Sequence, residues 1–138
     1  MTSYIIILEV KQDVQLTIGS KTHTLARGKY IYIGSANLRR PYLRLHRHMI
    51  KRKKVKWHID YLTINPDVNV QYGVLCYNIS ENKLYSILIK LLKPIIKGFG
   101  CTDCKKHISH LFELHPLEYF NELIDIFIRI CDGIEFVL

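Results

Sequence analysis

Gly28-Lys29-Tyr30-Ile31-Tyr32-Ile33-Gly34-Ser35-Ala36 is the stretch from which the fold is read. Tyr30–Ile33 is β-branched or aromatic and predicts a strand, which Gly34-Ser35 ends in a turn. Upstream, Ser3–Val10 predicts a first strand, because Tyr4, Ile5, Ile6, Ile7 and Leu8 show no helical period. Val14–Ile18 alternates, and Gly19-Ser20 and Arg27-Gly28 bracket a short Thr-rich return. Downstream, Pro41 suits the first turn of a helix running to about Lys51, where its missing N–H costs nothing. Trp57–Thr63 reads as a short helix or turn. Val68, Val70, Tyr72, Val74 and Cys76 alternate in a half-buried strand over Val68–Tyr77. Ser80-Glu81-Asn82 opens a helix to Leu92, stopped by Pro94. Ser109–Leu114 fits a short edge strand, and Pro116 starts a last helix through about Cys131. The expected fold class is α+β, a small antiparallel central sheet flanked by helices, with an apolar helix at the C-terminal end.

With 138 residues and 16.3 kDa, the chain is expected to be one domain, its core about 1–114 and a helical extension about 115–138. Apolar residues make up 49% and charged residues 23%, which excludes disordered and collagen-like classes. Four cysteines are too few and too uneven for a disulfide-stapled module. Tyr4–Leu8 follows no basic region and precedes no small-residue cleavage site, so no signal peptide is expected. Lys90 and Lys93 interrupt the longest apolar candidate for a membrane span. The expectation is a soluble cytoplasmic protein with no membrane partner. In the last helix, Leu117, Phe120, Ile124, Phe127, Ile128 and Cys131 form a stripe widened by Leu123, Ile126 and Ile130. That width suits either a buried helix or a homodimer contact.

Charge is strongly segregated. Val14 to Ile59 holds no Asp or Glu and twelve of the twenty Lys and Arg residues. Arg39, Arg40, Arg44, Arg47, Lys51, Arg52, Lys53, Lys54 and Lys56 lie close together within that span. From Leu111 onward, six acids stand against Arg129 alone. A basic pole of this kind attracts a polyanion and makes binding salt-sensitive. Its bland counterpart is a solvated lysine-rich face of the sort common in heat-adapted proteins.

Tyr4 starts the first strand, and Tyr32-Ile33-Gly34 ends the third. Arg44 and His48 stand four residues apart on one helix face, and Glu81 opens a later helix. Together these residues resemble the GIY-YIG nuclease superfamily. The closer resemblance is to a compact branch of it, a domain of unknown function sometimes fused to DNA glycosylases. Its marks are Gly28–Ala36, Trp57-His58-Ile59-Asp60-Tyr61-Leu62, Gly98-Phe99-Gly100-Cys101-Thr102-Asp103-Cys104 and Ser109-His110-Leu111-Phe112, in family order. The first motif reads Thr2-Ser3-Tyr4, without the usual glycine, and Asn82 stands where the branch commonly has cysteine.

The resemblance implies phosphodiester hydrolysis with one divalent ion and catalytic residues Tyr4, Tyr32, Arg44, His48 and Glu81. The residue chemistry agrees. Glu81 can hold Mg²⁺ or Mn²⁺, and Arg44 offers a planar fork for phosphate oxygens. Tyr4 and Tyr32 can position or deprotonate water if a phenol pKa near ~10 is lowered. His48 can shuttle a proton or bind phosphate. The rest of the basic cluster, with His58, is the expected nucleic-acid surface; His58 and Asp60 also fit a structural pair that orients the basic helix. Cys101, Cys104, His107 and His110 have spacings that can close on structural Zn²⁺, although a cysteine pair or simple packing explains them as well. The expected function is cleavage of DNA, favoured over RNA, at structured or damaged sites with low sequence specificity. The alternative is an inactive nucleic-acid-binding accessory of a repair or replication partner.

Overall fold

The computed structural model describes residues 1–101, 106–115, 119–131 and 133–137. Its α+β architecture centres on a six-stranded antiparallel sheet. The strands are β1 (Thr2–Val10), β4 (Gly28–Ser35), β5 (Val68–Tyr77), β6 (Lys93–Pro94), β7 (Leu111–Glu113) and β8 (Gly133–Val137), in spatial order β6-β7-β4-β1-β5-β8. A separate hairpin joins β2 (Val14–Ile18) to β3 (Lys21–Leu25). The helices are α1 (Tyr42–Met49), α2 (His58–Thr63), α3 (Glu81–Leu91) and α4 (Tyr119–Ile130).

β1 lies between β4 and β5 and is covered on both faces, which is why it reads as a continuous apolar run. Its period of two splits the core in half. Tyr4, Ile6, Leu8 and Val10 join Tyr30 and Tyr32 on one face, packed against Leu45 of α1, Ile59 and Leu62 of α2, and Val14, Leu16 and Leu25 of the hairpin. Ile5, Ile7, Ile31 and Ile33 face the other way, against Leu84 and Leu88 of α3 and Leu123 and Phe127 of α4. Truncating a fully buried leucine such as Leu45 or Leu62 to alanine costs ~2–5 kcal/mol.

Several expected boundaries shift. The basic helix stops at Met49, and the backbone at Ile50 is extended. β7 is not an edge strand: β6 pairs outside it, and Pro94 is tolerated there because an edge strand need not donate every N–H. β6 and β8 have no counterpart in the sequence reading, and β8 extends the sheet beyond β5. Among the described side chains of α4, Leu123 and Phe127 are buried, followed by Cys131, whereas Ile128 is exposed despite its place in the expected stripe. Pro116–Glu118 lie outside the described residues. Ser80 caps α3 by accepting the Lys83 N–H at 3.1 Å, as its sequence context predicts. No helix among the described residues is long and apolar enough to cross a membrane.

Candidate active site

Even-numbered residues of β1 and β4 share a face, so Tyr4 and Tyr32 meet there. Tyr4 pairs in register with Gly34, and Ile6 with Tyr32. The two rings lie 6.3 Å apart between centroids. A Cβ on Gly34 would stand 2.5 Å from the Tyr4 ring, and one on Gly100 would stand 2.6 Å from the Tyr32 hydroxyl. Glycine at 34 therefore lets the Tyr4 ring lie across the neighbouring strand. Gly100 combines the same close approach with a φ of 73°.

α1 brings His48 onto this pair. His48 Nε2 is 2.8 Å from Tyr4 Oη, in a buried contact. Burial, aided by Lys53, lowers the His48 pKa to about 3, so the imidazole is neutral. Its other nitrogen, Nδ1, has no protein partner among the described residues. Placing the hydrogen on Nε2 avoids an unpaired buried N–H. By that assignment His48 donates to Tyr4 Oη and leaves the Tyr4 hydroxyl hydrogen to point elsewhere.

Burial also raises the pKa of both phenols. Arg44 pulls each down, but Glu81 and the burial itself outweigh it. The expected deprotonation of a tyrosine is thus opposed by its surroundings, and both phenols are hydrogen-bonding groups that keep their protons. Nor does His48 reach solvent as a shuttle: it is fully buried and braces Tyr4.

Arg44, one turn before His48, is partly buried. Its guanidinium donates to the Ser35 carbonyl at 3.2 Å and sits 4.9 Å from the Trp57 ring centroid. Trp57 thus serves as a platform for cations, and Arg47 and Lys56 also lie over it.

Glu81 approaches from the other face of the sheet, at the first turn of α3. Its carboxylate accepts the Ser35 backbone N–H, and burial pushes its pKa up against that bond. His110 Nδ1 lies 3.5 Å from Glu81 Oε1, and His107 Nδ1 lies 2.8 Å from His110 Nε2. Burial lowers His110 to about 4 and also lowers His107. Glu81, His107 and His110 are a group able to hold a metal ion.

That grouping departs from the expected zinc set. The two histidines gather at Glu81, whereas the Cys101 thiol donates to the His107 carbonyl at 3.6 Å. Cys104 lies outside the described residues.

The basic cluster divides in two. Arg39, Arg40, Arg52, Lys54 and Lys56 are exposed. Arg47 and Lys53, both partly buried, and Lys51, itself exposed, are instead bonded within the fold. Arg47 bonds the buried Asp60 at 2.6 Å and the Lys54 carbonyl at 3.1 Å. Lys51 donates to the Asn65 and Val68 carbonyls. Lys53 donates to the Arg47 carbonyl at 2.8 Å and lies 3.8 Å from Asp60.

Asp60 also accepts the Lys56 and Trp57 backbone N–H groups. Burial raises its pKa, but these bonds outweigh burial and hold the carboxyl below its usual value. Asp60 therefore anchors α1 to α2, whereas the expectation was a His58–Asp60 pair. His58 does not share in that anchor. Its Nδ1 accepts the Gly100 N–H at 3.0 Å, and its ring packs near Phe99. The pull of Asp60 on Arg47 and Lys53 was not foreseen. A lone acid at the end of an acid-free span was the available signal.

Searches of curated proteins and of solved structures find no match. A family model does match residues 3–131, nearly the whole chain. The protein belongs to the family described as domain of unknown function DUF123.

Proposed function

We propose that this protein is a GIY-YIG-type endonuclease that hydrolyses DNA phosphodiester bonds, acting on structured or damaged DNA with little sequence preference. The carrying observation is the convergence of Tyr4–His48, Tyr32, Arg44 and Glu81 at one end of β1 and β4, beside an exposed basic segment. Arg44 offers its fork to the non-bridging phosphate oxygens, whose charge grows in the transition state. Tyr4, braced by His48, and Tyr32 are buried beneath this position and keep neutral hydroxyls that frame its floor. A Mg²⁺ or Mn²⁺ ion at Glu81 would supply the Lewis-acid charge that makes water nucleophilic near neutral pH. A new P–O bond forms from water, which releases a proton to solvent, as the P–O bond to the leaving strand breaks and the departing oxygen takes up a proton from solvent. Exposed Arg39, Arg40, Arg52 and Lys54 hold the polyanion without reading its bases.

The test follows binding and cutting together on duplex, single-stranded, flap, nicked and branched DNA, with Mg²⁺, Mn²⁺ or EDTA. Wild type should cut only with metal, and Glu81→Ala and Arg44→Ala should bind but cut at least ~100-fold more slowly. Cutting that survives Glu81→Ala overturns the assignment. Salt-sensitive binding with no cutting on any substrate makes the protein an accessory binder in a repair or replication complex.

A further inference from the structure

Past α3, the chain returns two imidazoles to the carboxylate at the start of that helix. Glu81, His107 and His110 each offer one donor atom, and the three atoms lie within 4.8 Å of one another. The 3.5 Å between Glu81 Oε1 and His110 Nδ1 is close to the ~3.4 Å expected of two donors bound ~2.1 Å from one ion. His107 Nδ1 now faces the opposite nitrogen, His110 Nε2, at 2.8 Å, so that contact opens when His107 turns to join an ion held between Glu81 and His110 Nδ1.

Each donor is held from behind. Glu81 is fixed by the Ser35 N–H. His110 is locked through its backbone, donating to the Phe99 carbonyl at 2.9 Å and accepting the Ile33 N–H at 3.1 Å. The His107 ring stacks on Tyr85 at 3.9 Å and 15°, and Tyr85 Oη accepts the Ile108 N–H at 2.9 Å. Tyr85 lies one turn after Glu81 on α3. One helix therefore supplies both the carboxylate and the platform that sets the second imidazole.

We propose that Glu81, His107 and His110 form a single mixed nitrogen–oxygen site for a divalent first-row transition metal ion, taking Mn²⁺ or Zn²⁺ in preference to Mg²⁺. Imidazole nitrogens suit first-row transition ions, whereas Mg²⁺ prefers oxygen ligands and retained waters. Three protein donors leave positions open for water or a phosphate oxygen. The half-exposed His107 gives the ion a way in. The proposal rests on the nuclease reading only for what the ion does, not for its capture.

Metal-free full-length protein is titrated with Mn²⁺, with bound ion counted by EPR and nitrogen ligation read from ¹⁴N couplings in pulsed EPR. One ion per chain is expected, with imidazole couplings, displaced by Zn²⁺ and not by about 100-fold excess Mg²⁺. His107→Ala and His110→Ala should each weaken binding at least about tenfold. Thermal melting shows whether each variant folds, and His107, the more exposed of the two, is the safer substitution. Absence of Mn²⁺ binding, bound Mn²⁺ without nitrogen coupling, equal displacement by Mg²⁺, or a folded His107→Ala with unchanged affinity overturns the site. A chain that binds Mn²⁺ through nitrogen but cuts nothing upholds the site and sinks the nuclease. Equal Mg²⁺-supported cutting by wild type and both histidine variants does the reverse.

Discussion

His48 Nε2 stands 2.8 Å from Tyr4 Oη, joining the basic helix to the central strand across 44 residues of sequence. The imidazole is neutral because it is buried among cations: Lys53, Arg47 and Arg44 oppose a further positive charge, and the attraction of Asp60 does not offset them. Tyr4 and Tyr32 complete its surroundings.

Neutral burial has a pH consequence. The unfolded histidine takes up its proton near 6.5, whereas the folded one waits until about 3. Between those values the unfolded state binds more protons, so this contribution is complete above 6.5 and is lost as pH falls toward 3. Urea unfolding of wild type and His48→Phe at pH 7 and pH 5 should show the wild type losing about 2 kcal/mol more on acidification. Equal losses would contradict a neutral buried imidazole.

Gly34→Ala should dislodge the Tyr4 ring, since the added carbon meets it at 2.5 Å. Overpacking of this kind costs about 1–3 kcal/mol. The variant should melt lower and, on the proposed nuclease reading, cut DNA more slowly while its DNA affinity stays within about twofold. An unchanged melting temperature would mean that Tyr4 yields freely.

Removing the Asp60 carboxylate should unlatch the basic helix. Asp60→Ala leaves Arg47 and Lys53 without their counter-ion, and breaking a buried pair typically costs about 3–5 kcal/mol. Arg47 remains partly exposed, so the lower end of that range applies. Chemical denaturation measures the loss; a change below ~1 kcal/mol would show that solvent replaces the anchor.

Exposed and committed cations should separate by salt dependence. Alanine at Arg39, Arg40, Arg52 or Lys54 should lower the slope of log affinity against log salt by about 0.9 per lost phosphate contact. Alanine at Lys51 or Lys53 should instead lower stability, since each bonds backbone carbonyls within the fold. Fluorescence anisotropy across a salt series distinguishes the two groups; identical slopes for all six variants would place DNA elsewhere.

Local pattern alone carried the main strands and the cap of α3. Runs such as Tyr4–Leu8 and the alternation over Val68–Tyr77 need no knowledge of distant residues, because side-chain size and period two already favour extended backbone. The spacing of Arg44 and His48 likewise placed both on one turn-to-turn face of α1. β8 escaped because a short strand at the sheet margin owes its state to pairing with β5, not to its own composition. β6, two residues containing a proline, is a strand only because β7 runs alongside it.

For the candidate site, the sequence by itself determined which chemical groups are present, their spacing along each element, and the concentration of positive charge ahead of Asp60. Only the tertiary structure decided their partners. It committed Arg47, Lys51 and Lys53 to the fold, buried His48 as a neutral brace for Tyr4, and turned His107 and His110 toward Glu81. The physical reason is that protonation state and hydrogen-bond partner depend on burial and on groups tens of residues away, which no local spacing encodes.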